Sequence, residues 1–260
     1  VLGAGFGASA KATPSEDHLL KEPEVDYRDS HLNRGDTYDE TIAAKPFDAY
    51  MARCEADYLR ETVPRILGEG GRYLDFACGT GRITATVSRL VGESVGVDIS
   101  QGMLSEARRK CPLTRFVCVD LTRENVDLGQ FDLVTSFRFF GNAQDELRSS
   151  ALDAISRLVR KGGHLIINSH RNPHSIGAIL QAICGHRHGM DLGYSKITRM
   201  LRDHGFRIVA VRPIGFWVFR AAWRRETVLN SRGADFAERV FRHRILAPIS
   251  SDVIIVARKR

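Results

Sequence analysis

The 260-residue chain carries 38 Lys and Arg against 31 Asp and Glu, a formal net charge of +7, with 43% hydrophobic and 27% charged residues. Those proportions fit an ordinary soluble globular protein with room for one large α/β domain or two small ones, and no apolar run approaches the ~20 residues of a membrane span. The basic balance favours an anionic small molecule, a nucleic acid or an acidic membrane surface as partner without choosing among them.

Cys54, Cys78, Cys111, Cys118 and Cys184 are an odd, scattered set with no C-x-x-C pair. A disulfide framework or zinc ribbon is therefore not expected, and reduced, buried thiols in a cytoplasmic protein are. Val1 to Ala10 is small and apolar, but it is short for a secretory signal and has no basic region before it. Its Gly3, Gly5 and Gly7 imitate a nucleotide fingerprint, yet no strand precedes them to deliver it. Residues 1–34 read as a flexible lead-in broken by Pro14 and Pro23.

From Tyr38 the pattern becomes helical, with Phe47, Tyr50, Met51, Cys54 and Tyr58 at three- and four-residue steps until Pro64 and a glycine cluster end it. Strands are expected over Tyr73 to Ala77, Ser94 to Ile99, Arg115 to Val119, Phe131 to Phe137 and His164 to Asn168. Helices over Arg82 to Val91, Gly102 to Lys110 and Asp145 to Arg160 alternate with them. Such a series predicts a parallel sheet with helices on both faces, and its nearly continuous apolar strands suit burial on both sides. Further on, Arg171 to Asp191 is irregular, Tyr194 to His204 helical, and Phe206 to Val211 and Asp252 to Lys259 strand-like. A helix is expected around Phe236 to Leu246.

The chemistry concentrates where the first strand meets Ala77-Cys78-Gly79-Thr80-Gly81-Arg82. Glycines at 79 and 81 let backbone approach a ligand, and the helix that follows offers unpaired N–H groups. A dinucleotide fingerprint would continue with glycine or alanine at position 84. Thr84 stands there instead, which argues against NAD. Asp75 suits a ligand bearing a positive amino group.

The ordered set Leu74 to Gly81, Val95 to Ser100, Phe116 to Leu121, Phe131 to Phe137 and Leu158 to Asn168 resembles the class I S-adenosylmethionine-dependent methyltransferases of the small-molecule type. The resemblance runs from about Tyr38 to Lys259. It implies a Rossmann-like, doubly wound seven-stranded sheet with the last strand antiparallel, and S-adenosyl-L-methionine as cofactor. It places Asp98 on the ribose hydroxyls, Asp120 by the adenine amino group, and Ser136 near the methionine end. Ala77, Gly79 and Gly81 would form the turn beside the cofactor, and Ile99, Met103 and Leu121 an apolar sandwich for adenine.

The acceptor side is less distinctive. Arg138, Phe139 and Phe140 follow the fourth strand, where Arg138 would clamp a phosphate or carboxylate. His170 follows the fifth strand as a general base or as a solvated loop histidine. Cys184, His186 and His188, with His170 and His174 nearby, lack the closed geometry of a metal site, so no metal is expected. Residues 35–260 form the expected domain, with 171–191 and 217–250 as insertions over the acceptor pocket. Trp217, Phe219 and Trp223, interleaved with arginines, suit an anionic acceptor or a lipid surface. The predicted acceptor is a small molecule such as an anionic sugar, lipid or specialised metabolite. The alternatives are an RNA methyltransferase, or an NAD-dependent oxidoreductase or nucleotide-binding module on the same sheet.

Overall fold

A computed structural model describes residues 27–28, 45–68, 70–170, 172–184, 192–214, 233, 236 and 239–260. The expected lead-in up to residue 26, the helix onset at Tyr38, the loop histidines His186 and His188, and the Trp217, Phe219 and Trp223 stretch lie outside them.

Helix α1, Pro46–Leu67, turns Phe47, Tyr50, Met51, Glu55, Leu59 and Val63 inward, a stripe at three- and four-residue spacing. Pro46 stands in its first turn, where a missing N–H costs nothing. It ends where the expected glycine cluster begins: Pro64 stands in its last turn, and the Gly68 N–H closes on the Pro64 carbonyl at 2.9 Å.

The alternation then unfolds as β1 (Arg72–Phe76), α2 (Arg82–Val87), β2 (Glu93–Asp98), α3 (Gln101–Lys110), β3 (Arg115–Cys118), β4 (Phe131–Ser136), α4 (Asp145–Leu158) and β5 (Val159–Ser169). After it come α5 (Ile176–Ile183), α6 (Tyr194–Asp203), β6 (Phe206–Ile214), a 3-10 turn (Arg244–Ile249) and β7 (Asp252–Lys259). The seven strands order β3-β2-β1-β4-β5-β7-β6. β1 to β5 are mutually parallel, and β7 runs antiparallel to both neighbours. This is the sheet expected from the resemblance.

Period-two alternation divides the core between the two faces. Tyr73, Leu133, Ile166, Ile254 and Val256 pack with α1 and α2 on one face. Leu74, Val134, Leu165, Ile167 and Ile255 pack with α4 and α6 on the other. The outer strands depart from continuous burial: Arg115 and Cys118 of β3 are exposed, and so are Arg207, Val209 and Ala210 of β6.

Three boundaries differ from expectation. Helix α4 stops at Leu158 and β5 begins at the next residue, so the strand has 11 residues; its pairing with β4 shifts between Phe131 and Leu133, near Gly162 (φ 76°). The stretch expected to be irregular holds α5, whose Ser175 accepts a hydrogen bond from the Ala178 N–H at 3.2 Å. Arg239 and Val240 are helical, but the chain turns at Phe241 and re-forms as the 3-10 turn containing Pro248. The thiols are free, with Cys78 and Cys111 buried; Cys118 and Cys184 are exposed, contrary to a uniformly buried set. Among the described residues no helix is long and apolar enough to cross a membrane.

Gly96 of β2 shows how tightly the cofactor half of the sheet is assembled. A Cβ there would lie 2.4 Å from Phe116 Cε1 and 3.1 Å from Cys78 Sγ. Gly96→Ala is expected to destabilise the fold by about 1–3 kcal/mol through overpacking. Urea unfolding would measure it, with Phe116→Ala in the same chain recovering part of the loss.

Candidate functional site

β1 leaves the sheet at Phe76 and turns through Ala77, Gly79 and Gly81, whose φ angles of 55°, 53° and 78° are all left-handed. Glycine is required at 81, where a Cβ would sit 3.0 Å from the Ala107 Cβ of α3. At Gly79 a Cβ would come 3.5 Å from Met103 Sδ and narrow the crevice. The helix that follows, α2, is only six residues long.

Asp75 sits one residue before the end of β1 and is 1% exposed. Thr84 donates its hydroxyl to Asp75 Oδ2 at 2.6 Å, and Thr135 donates to Oδ1 at 2.8 Å. With the Thr135 proton so placed, the Tyr73 hydroxyl 2.7 Å away donates to Thr135. The carboxylate expected to meet a ligand's amino group is therefore engaged on both oxygens by side chains of α2 and β4. Thr84, the residue that spoils a dinucleotide fingerprint, is fully buried and serves this tie.

Asp98 closes β2. Its Oδ2 accepts the Gly79 N–H at 2.8 Å and its Oδ1 the Ser100 N–H at 2.9 Å, so the acid is held on the glycine turn of the neighbouring strand. Ser100 in turn caps α3 through the Met103 N–H at 3.4 Å. Beyond β3, Asp120 Oδ1 accepts the Thr122 N–H at 2.9 Å and Oδ2 accepts Arg28 Nε at 3.0 Å. These ends open into one cavity. The expected site residues all line it except Gly81, Ser136 and His170.

Gly81 is behind the turn against α3. Ser136 is fully buried in β4, on the sheet face opposite its neighbour Thr135. His170 is neither a solvated loop histidine nor part of the cavity wall. It is 9% exposed, and its ring packs so closely on Gly141 that a Cβ there would lie 2.8 Å away. Arg138 does line the cavity, in a left-handed conformation (φ 59°) with its N–H donated to Asn168 Oδ1 at 2.5 Å. Its Nη1 lies 3.4 Å from Asp48 of α1.

Several contributors escape a reading of the motifs. Glu55, 1% exposed, pairs with Arg82 Nη1 at 2.8 Å and accepts from Asn168 Nδ2 at 2.8 Å, fixing α1 to α2 and β5. Its signal in the sequence is an acid in helical register with Met51 and Leu59, on the apolar face. Tyr27 and Arg28, inside the expected flexible lead-in, stand in the cavity wall. Among the described residues no cluster of three or more His, Cys, Asp or Glu is placed to hold a metal ion.

Residues 73–163 match the family model described as a methyltransferase domain. The chain is 35% identical over 104 residues to a demethylmenaquinone methyltransferase of Beutenbergia cavernae, covering 40% of this chain and 42% of that protein. It is 34% identical over 122 residues to a ubiquinone biosynthesis O-methyltransferase of Alkalilimnicola ehrlichii, covering 44% and 48%. The chain thus spans about half the length of the curated relatives it first matches. The crystal structure of a magnesium protoporphyrin IX methyltransferase from Synechocystis PCC 6803 with bound SAH superposes with a TM-score of 0.56 at 16% identity. That superposition covers 90% of this chain and 92% of that one, a likeness of fold.

Burial pushes the Asp75 carboxyl up from 3.8 to about 6, opposed by the hydroxyls of Thr84 and Thr135 and by the charge of Arg82. Between about pH 4 and pH 6 the folded chain keeps a proton the unfolded chain has released, so this group lowers folding stability as pH rises through that window. The melting temperature of Asp75→Asn should therefore climb relative to the native protein from pH 4 to pH 6. A constant difference across the window would show that Asp75 does not titrate there.

Proposed function

We propose that this chain, whose residues 73–163 match the methyltransferase-domain model, binds S-adenosyl-L-methionine in the cavity above β1, β2 and β3 and transfers its methyl group to a small-molecule acceptor. The observation that carries the reading is the pinning of Asp98 to the Gly79 N–H at 2.8 Å, which presents an acid and a bare backbone turn on the same wall.

The residues fit the cofactor. Asp98 would accept from the ribose hydroxyls, since an ionised carboxylate gives strong, oriented bonds to paired donors. Asp120 would accept from the adenine amino group, with Ile99, Met103 and Leu121 as apolar surface for the base. Asp75 is a positioning residue in this scheme: its two threonine bonds hold the turn between β1 and α2 against β4. When bound, the cofactor supplies a methyl already electrophilic on its sulfonium. What the chain supplies is alignment of acceptor, methyl and sulfur, a contribution that reaches ~7–11 kcal/mol in well-oriented reactions.

The acceptor enters from the side of β4, where Arg138, Phe137 and Phe139 form the wall. Arg138 is the acceptor anchor: an anionic group would compete with Asp48 for its guanidinium, held at 3.4 Å. His170, set back behind Gly141, is assigned no part at the reacting atoms. The related proteins are named for quinone biosynthesis and for magnesium protoporphyrin IX, which supports a small organic acceptor here.

Calorimetry with S-adenosylmethionine, S-adenosylhomocysteine and NAD side by side tests the cofactor, with binding expected for the first two alone. Asp98→Ala should weaken S-adenosylhomocysteine about tenfold or more, the loss of a charge-assisted hydrogen bond being worth ~1.5–3 kcal/mol, and Gly79→Val should weaken it by narrowing the crevice against Met103. Incubating host extracts with labelled cofactor should yield a product carrying one labelled methyl, and Arg138→Gln should raise KM for that acceptor more than it lowers kcat. Binding of NAD in preference would overturn the reading.

A further inference from the structure

Tyr27 and Arg28 belong to none of the motifs that define the site, yet together they reach both of its flanks. Arg28 donates Nε to Asp120 Oδ2 at 3.0 Å and Nη2 to Thr122 Oγ1 at 2.7 Å, beyond the end of β3. The Tyr27 hydroxyl donates to the Arg138 carbonyl at 3.3 Å and its N–H to Gln144 Oε1 at 3.4 Å, beyond the end of β4. Its ring stands edge-on to Phe139 with centroids 5.8 Å apart, and Phe139 stands edge-on to Phe76 of β1. In the order β3-β2-β1-β4, those two anchorages bound the cofactor half of the sheet. Three strand spacings make ~14 Å, more than a dipeptide backbone spans, so the two side chains do the reaching.

Both side chains stand in the cavity wall beside Asp98, Asp120 and Arg138, so the pair is part of the lining. The chemistry at Asp120 agrees. A carboxylate oxygen accepts two hydrogen bonds, so Oδ2 can take Arg28 on one side and an amino N–H on the other. A guanidinium satisfies Asp120 and Thr122 at once from one rigid fork, which an ammonium does not.

We propose that Tyr27 and Arg28 form a clasp over the cofactor crevice, in which Arg28 fixes the Asp120 carboxylate for the adenine amino group and Tyr27 moors the peptide on Phe139. Cofactor and its demethylated product then leave more slowly while Arg28 holds Asp120 than when that pair is broken. The proposal rests on the cofactor assignment above. Arg28 is a positioning residue, acting through Asp120.

Stopped-flow dissociation of S-adenosylhomocysteine tests it on the full chain. Arg28→Ala should release the ligand about tenfold faster with less change in association, the usual partition for a lost contact. Arg28→Lys should recover only part, and Arg28→Ala combined with Asp120→Asn should be no worse than Asp120→Asn alone. Arg65→Ala, which removes only the exposed pair with Glu61, is the control. Unchanged or tighter binding in Arg28→Ala overturns the clasp, as does a lowered melting temperature with an unaltered dissociation rate. If the native protein takes up no S-adenosylhomocysteine, the cofactor assignment falls, and the latch is read by limited trypsin digestion: Asp120→Asn should be cut after Arg28 faster than the native chain, and equal cutting overturns the latch.

Discussion

The bond between the Asp98 carboxylate and the backbone N–H of Gly79 is the contact on which the site depends. The order of the sheet reverses between β1 and β4, and open α/β sheets leave a crevice at the carboxyl edge beside such a reversal, but a crevice alone fixes no chemistry. On the β2 side of β1 the Asp98 carboxylate takes an N–H from the turn after β1 and another from its own chain at Ser100. The acid is thereby oriented before any ligand arrives, which spares the ordering cost at binding.

Behind this front wall lies a second, hidden layer of polar ties. Glu55 joins α1 to Arg82 at the start of α2 and to Asn168 near the end of β5. An ion pair so buried adds little over a well-packed apolar pair, yet removing one partner strands a charge at a cost of ~3–5 kcal/mol. Its worth is in registration: α1 is held in one rotational setting against α2 and β5, with Asp48, two turns before Glu55, 3.4 Å from Arg138. Asp75 plays the equivalent part beneath the glycine turn, joining β1, α2 and β4 through two threonines.

Much of this was legible in the residues. The alternation of apolar strands and amphipathic helices fixed the parallel order, because period-two and 3.6-residue patterns are local properties. The acids at the strand ends and the glycines at 79 and 81 were legible for the same reason: a strand end followed by a tight turn leaves few residue types that fit. What stayed hidden was long-range. Nothing local to Asp75 tells that Thr84 and Thr135 will occupy both of its oxygens, 9 and 60 residues away. The pairing of Arg28 with Asp120 spans 92 positions and lies in a segment whose prolines and charges look unstructured. α5 escaped because its eight residues carry one polar side chain, Gln181, too few to mark an amphipathic period, and the join of α4 to β5 because no turn residue separates them.

The placing of β7 shapes how the sheet comes together. It lies between β5 and β6 yet follows both in the sequence, and its residue Val256 pairs with Ile166, far back along the chain. Without it β5 has an open edge, and β6, which pairs with no other strand, has no place in the sheet. Open edges recruit strands from other chains, and such distant pairings form slowly. A lesion that loosens this one central strand therefore exposes two at once.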